Sequence, residues 1–130
     1  MRQPIALLVE DDILVRMVTA EALGDMGFHV EEAASAAEAL GKATLAAGGI
    51  DIAIIDVGLP DRNGDELAAD LRAMYDKLPI ALATGYSESS LATRFASDPF
   101  IAYLGKPYDT MQLTSVVASL QNGAEGQPLS

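Results

Sequence analysis

Four places in the chain carry residues able to do chemistry together: the acidic run Glu10-Asp11-Asp12, then Asp56, Thr84 and Lys106. Each stands directly after a short apolar run. If Glu10, Asp11 and Asp56 meet, a pair of their carboxylates about 4 Å apart repels by roughly 4 kcal/mol at an effective dielectric near 20. Such a cluster either holds its protons more tightly or binds a hard cation. Oxygen-only ligands suit Mg²⁺, which takes one or two carboxylates, waters and a phosphate oxygen. The Thr84 hydroxyl and the Lys106 ammonium complete what a phosphoryl group requires, because its transfer is catalysed by positioning and charge neutralisation. Each residue also has a plainer role. Asp12 is better placed as the N-cap of the following helix than as a ligand. Asp56 can open an Asx turn before Pro60, a lone Thr commonly ends a strand, and a lone Lys is commonly solvated. Five complementary residues at the ends of four apolar runs favour the joint reading.

The elements that must position them are five apolar runs, Ile5–Val9, 28–30 with its flanks, 52–55, 80–83 and 100–104. Several are continuous rather than alternating, which indicates strands covered on both faces, as in a parallel sheet. Between them lie helical signals. Ser35 with Glu38, Asn63 with Glu66 and Asp109 with Gln112 have capping-box spacing. Ile13, Met17, Ala20 and Leu23 recur at helical spacing, and Gly24 and Gly27 mark the end of that first helix. Gly48-Gly49 closes the second. Five such units predict an α/β fold, a flavodoxin-like doubly wound five-stranded parallel sheet of order 2-1-3-4-5 with five helices. Ligands of open α/β sheets bind beyond the carboxyl ends of the strands, at the point where strand order reverses. That order makes strands one and three neighbours, so Glu10 and Asp11 face Asp56. The helix expected over 87–96 lacks a capping box and is rich in Ser and Thr, which makes it the least stable.

Composition bounds the rest. A chain of 130 residues suits one domain, expected over 1–121, with 122–130 as a frayed tail. The absence of cysteine excludes thiol catalysis, thiolate metal sites and disulfide frameworks. A net charge of −11 argues against nucleic-acid binding, which needs a basic face. With 50% hydrophobic residues the chain is no disordered acidic tail. Its first apolar run is too short for a signal peptide or a membrane span, so a soluble cytoplasmic protein is expected.

Taken in order, these motifs resemble the receiver domain of two-component response regulators, from Ile5 to Leu120. Leu7-Leu8-Val9-Glu10-Asp11-Asp12 is similar to the family's acidic end of strand one. Asp56-Val57-Gly58-Leu59-Pro60 with Asn63-Gly64 is similar to its phosphoacceptor segment. Ala83-Thr84-Gly85 and Tyr103-Leu104-Gly105-Lys106-Pro107 resemble its last two signatures. The resemblance implies a stand-alone response regulator, not an enzyme beyond its own phosphorylation and dephosphorylation. Asp56 would accept a phosphoryl group from a histidine kinase or histidine phosphotransfer protein. Glu10, Asp11, Asp56 and the Gly58 carbonyl would hold Mg²⁺. Lys106 and Thr84 would contact the phosphoryl oxygens, and Thr84 with Tyr103 would form the switch. The Lys106-Pro107 bond is expected to be cis, and Gly58 and Tyr86 occupy positions that tune phosphoryl lifetime. A downstream protein partner is expected on the face of helix four, strand five and helix five, with no nucleic-acid or membrane partner. Pro79-Ile80-Ala81-Leu82-Ala83-Thr84-Gly85-Tyr86 also resembles the "FAT GUY" subgroup, although Ile80 and Leu82 stand where that subgroup has Phe.

Other functions fit less well. An aspartyl-phosphate phosphatase of the haloacid-dehalogenase type needs an acid two residues after its nucleophile, and Gly58 stands there. A flavin or nucleotide carrier needs a phosphate-cradling loop, and neither G-x-G-x-x-G nor G-x-x-x-x-G-K-[ST] occurs. An unphosphorylated receiver-like interaction module would have no use for an intact Asp56, Thr84 and Lys106.

Overall fold

The computed structural model describes residues 3–46, 49–85 and 98–124. Strands β1 (Ile5–Val9), β2 (His29–Ala33), β3 (Ile52–Asp56), β4 (Ile80–Thr84) and β5 (Ile101–Gly105) form one parallel sheet in the order β2-β1-β3-β4-β5. The described helices are α1 (Ile13–Asp25), α2 (Ala36–Ala46), α3 (Gly64–Met74) and α4 (Thr110–Ala124). The helix expected over 87–96, with Tyr86 just before it, lies outside the described residues. α4 runs to Ala124, past residue 122 where the tail was expected to begin.

The sheet is legible as apolar runs because its central strands are covered on both sides. β3 and β4 are buried at every position, whereas the edge strand β2 is buried only at Ala33. Alternate residues feed two cores. Leu7, Val9, Ile55, Ile80 and Leu82 pack with Ala36, Ala39 and Ala43 of α2 and Leu67 and Leu71 of α3. Ala6, Leu8, Ile52 and Ile54 pack with Leu23 of α1 and Leu113, Val117 and Leu120 of α4. Fully burying one such Leu or Ile contributes about 1.5–3 kcal/mol.

The helix ends follow local chemistry. Asp12 caps α1, its Oδ1 accepting from the Leu14 and Val15 amides at 3.0 and 3.2 Å. Gly27, at φ 102°, closes α1, with the Gly27 amide donating to Gly24 O and the Phe28 amide to Leu23 O. That pair of bonds is a Schellman motif, which places a left-handed residue just past the helix. Asp109 and Gln112 cap α4 reciprocally at 2.9 and 2.8 Å. The expected Asn63–Glu66 box does not form. Asn63 precedes α3 without a side-chain cap bond, and the Glu66 carboxylate pairs with Arg62 at 3.4 Å instead.

The helix expected from the spacing of Ile13, Met17, Ala20 and Leu23 forms, but the sheet covers only its Leu23 side. Ile13 and Met17 are 59% and 61% exposed, as are Leu14 and Val18 at 70% and 63%. The buried face is Thr19, Ala22 and Leu23, with Val15 half-buried above them. Apolar residues occupy two faces of this helix, and the sheet takes the one carrying a polar residue. Thr19 is tolerated there because its Oγ1 hydrogen-bonds Tyr108 Oη at 2.8 Å, which satisfies a buried hydroxyl.

Candidate functional site

Strand register brings the acids together. β1 pairs with β3 so that Val9 lies opposite Ile55, and Glu10 and Asp56 are the next residues on the two strands. Glu10 is held in line with the sheet by its amide, which donates to Ala33 O at 3.0 Å. Glu10, Asp11 and Asp56 each place a carboxylate oxygen within 4.8 Å of the others. Glu10 and Asp56 are only 2% and 6% exposed, while Asp11 faces solvent. Lys106 Nζ lies 3.3 Å from Glu10 Oε1 and 3.3 Å from Asp56 Oδ1. The Lys106 amide donates to Thr84 O at 2.8 Å, which keeps the residue in line with β4, and the Lys106-Pro107 bond is cis.

Electrostatics at the cluster are those of crowded acids. Burial, aided by the Asp56 charge, pushes the Glu10 carboxyl up to about 7. The Asp12 amide, 3.0 Å from Glu10 Oε2, and the Lys106 ammonium act in the opposite sense. Burial tends to lower the Lys106 ammonium, yet Asp56 and Glu10 together hold it above its ordinary value. Two buried carboxylates and one exposed one, short of positive charge and supplying only oxygen, fit a hard divalent cation.

The segment after Asp56 is folded tightly against it. The Gly58 amide donates to Asp56 Oδ1 at 3.2 Å, so the Asx turn exists alongside the acidic cluster. A single antiparallel bridge joins Gly58 to Asn63, and the Gly64 amide donates to Val57 O at 2.8 Å. A Cβ on Gly64 would lie 2.2 Å from the Asp56 carbonyl oxygen. Gly64→Ala is therefore expected to cost about 1–3 kcal/mol, the range for forced overpacking, and to displace Asp56. Denaturant unfolding of the variant checks the first and the Gly58 amide chemical shift the second.

Thr84 is buried at the end of β4. Its register partner is Gly105, and Leu82 pairs with Tyr103, so Thr84 and Tyr103 share one face of the sheet. Three contributors escaped sequence reasoning. Arg16 reaches from α1 to donate to the Glu10 carbonyl at 2.9 Å and to Glu32 Oε1 at 3.2 Å. Tyr108, just beyond the cis bond, ties that turn to Thr19. Asp61 joins the loop after Asp56 to α2.

The family model for the response regulator receiver domain matches residues 6–118. The chain belongs to that family. Among curated relatives, this receiver is 35% identical over 114 residues to Sensor kinase CckA of Brucella abortus, covering 88% of this chain and 12% of the relative. It is 34% identical over 112 residues to the transcriptional regulatory protein PdtaR of Mycobacterium tuberculosis, covering 85% of this chain and 53% of that one. It thus spans about half or less of the length of these relatives. Among solved structures, chemotaxis protein CheY4 of Vibrio cholerae superposes with a TM-score of 0.83 at 28% identity, covering 92% of this chain and 99% of that one. The receiver domain of hybrid histidine kinase CckA gives 0.76 at 34% identity, covering 90% and 99%. As a receiver, the protein has its place in two-component signalling. No helix among the described residues is long and apolar enough to cross a membrane.

Proposed function

We propose that this receiver accepts a phosphoryl group on Asp56 from a histidine kinase or histidine phosphotransfer protein. The carrying observation is the convergence of Glu10, Asp11, Asp56 and Lys106 at the carboxyl ends of β1, β3 and β5. Glu10, Asp11, Asp56 and the Gly58 carbonyl would hold Mg²⁺, which supplies the positive charge that a phosphoryl group and crowded carboxylates require. An Asp56 carboxylate oxygen attacks phosphorus, and its new bond replaces the one to the donor's imidazole nitrogen. That nitrogen leaves with the electron pair and takes up a proton. Lys106 Nζ, already 3.3 Å from Asp56 Oδ1, pairs with the phosphoryl oxygens, and the Thr84 hydroxyl donates to one of them. Chemistry stops at the protein's own phosphorylation and dephosphorylation. Gly58 leaves the second position after Asp56 without the acid a phosphatase would use.

Output follows from the face shared by Thr84 and Tyr103. Thr84 drawn toward the phosphoryl group makes room for the Tyr103 ring, altering the surface of β5 and α4 that a downstream protein reads. The charge of −11 supports a protein rather than a nucleic acid in that role, and a cytoplasmic location goes with the reading.

The donor's docking place in this proposal is α1. Ile13, Leu14, Met17 and Val18 are exposed large apolar side chains directly after the acidic turn. Leu14 and Val18 also line a groove of about 720 Å³ that runs between α1 and α4 to Lys106. The double variant Leu14→Ser/Met17→Ser is expected to slow transfer from a cognate kinase by about tenfold, as loss of an apolar anchor does. Its phosphorylation by acetyl phosphate is expected to stay unchanged, and equal slowing with both donors would count against the docking role. The function itself is tested by incubating the chain with acetyl phosphate and Mg²⁺ and reading intact mass. One phosphoryl addition that EDTA prevents is expected; no addition, or one indifferent to EDTA, overturns the proposal.

A further inference from the structure

The loop between β3 and α3 is tied down on both sides. Arg62 fastens it to α3, donating to Asp70 Oδ2 at 2.7 Å and to Glu66 Oε1 at 3.4 Å. On the other side Asp61 reaches α2, where Oδ1 accepts from the Ala36 amide and Oδ2 from the Ala37 amide, both at 2.9 Å. These partners lie 25 and 24 residues earlier in the chain, so the contact is tertiary. The two amides hold the Asp61 carboxyl below its ordinary range.

Helix capping alone does not account for this arrangement. α1 and α4 are capped by local residues, Asp12 and the Asp109–Gln112 pair. α2 already has its own local cap, since Ser35 Oγ accepts from the Glu38 amide at 3.1 Å and Glu38 Oε1 accepts from the Ala34 amide at 2.7 Å. Asp61 is a second cap, brought in from the loop. What the loop gains is a fixed position for Gly58, whose amide touches Asp56 and whose carbonyl belongs to the proposed metal site.

We infer that Asp61 is a positioning residue for the phosphorylation site, pinning the loop to α2 so that Gly58 stays in register with Asp56. The inference rests on the reading given under Proposed function. Without the pin, the loop keeps its ties to α3, the buried Leu59 side chain and its internal Gly58–Asn63 bridge, which anchor it to β3 and α3 but not to α2. Gly58 then shifts with the loop relative to Asp56, which lengthens the contact of its amide with Asp56 Oδ1.

The test compares Asp61→Ala, Asp61→Asn and Ser35→Ala by calorimetric Mg²⁺ titration, thermal melting and the Gly58 amide resonance. Asp61→Ala is expected to weaken Mg²⁺ binding by about tenfold, the low end for groups that orient metal ligands, and to shift the Gly58 resonance in metal-free protein. Asp61→Asn keeps one acceptor oxygen and is expected to fall between, and it serves if the alanine variant does not fold. Ser35→Ala removes the local cap of the same helix, so it is expected to lower the melting temperature and leave Mg²⁺ affinity unchanged. Asp61 variants that bind Mg²⁺ like the parent would overturn the inference, as would equal weakening by Ser35→Ala, which makes the contact a helix cap only. A parent protein that binds no Mg²⁺ would overturn the underlying site reading, before any variant is compared.

Discussion

Asp56→Asn is expected to abolish phosphorylation by acetyl phosphate, leave the chain folded, and make the metal-free protein more stable above about pH 7. The first effect is the larger. An amide oxygen carries no charge to attack phosphorus and cannot complete an acyl phosphate, so no mass gain is expected under conditions that label the parent fully. The gain in stability comes from what surrounds the carboxylate. It lies within 4.8 Å of two other acids and 3.3 Å from one ammonium, Lys106. At an effective dielectric near 20, the two repulsions exceed the attraction by about 2 kcal/mol when all four groups are charged. Exposure of Asp11 screens part of this, leaving a stabilisation on the order of 1 kcal/mol. Asparagine keeps the shape of the side chain and an oxygen able to accept from the Gly58 amide. Urea unfolding with and without Mg²⁺ measures the effect, and the cation is expected to stabilise the variant less than the parent. A mass gain in the variant would point to another acceptor. Lower stability without Mg²⁺ would show that the Lys106 attraction outweighs the acidic crowding.

Strand order and the meeting of Glu10, Asp11 and Asp56 were legible because each depends on patterns that survive in one dimension. β1, β3 and β4 are buried on both faces and read as apolar runs, and parallel βα units leave little freedom in how such strands are ordered. Once β1 and β3 are neighbours, residues just past their carboxyl ends must converge. The covered face of α1 was not legible, because apolarity marks two of its faces and only tertiary packing decides which one the sheet covers. Thr19 occupies the buried face through a bond to Tyr108, 89 residues away, which no local spacing announces. Asn63 has the type and spacing of a cap, yet the bridge it forms with Gly58 commits this residue to the loop. The need for glycine at position 64 is likewise invisible, since it arises from a carbonyl across the turn. Asp61 left no signal either, for a carboxylate in a Pro-containing loop is usually solvated. Residues that make the chemistry were readable from type and position, whereas residues that hold them there act through contacts the sequence does not display.

Mg²⁺ binding is expected to be strongly proton-linked, with apparent affinity rising about tenfold per pH unit below pH 7 and levelling off above it. In the metal-free protein the Glu10 carboxyl titrates near 7, chiefly because it is buried and secondly because Asp56 is charged beside it. The Glu10 proton must leave before this carboxylate can serve as a ligand, so below pH 7 each bound cation releases about one proton. The stability of the metal-free protein has the matching sign. The folded chain holds this proton more tightly than the unfolded chain, in which Glu10 titrates near 4.5. Stability from this group is thus complete below about pH 4.5 and is lost as pH rises toward 7, by on the order of 3 kcal/mol. Saturating Mg²⁺ favours the ionised pair and is expected to flatten that decline. Calorimetric titrations in buffers of different ionisation enthalpy count the protons directly, close to one at about pH 6 and close to none at about pH 9. Replacing Glu10 by Gln is expected to remove most of the proton release and weaken cation binding at every pH, because a neutral amide has no proton to lose and no charge to offer. If affinity for Mg²⁺ were instead flat from about pH 6 to pH 8, Glu10 would be ionised throughout, and the acidic crowding would be relieved by Lys106 rather than by the metal.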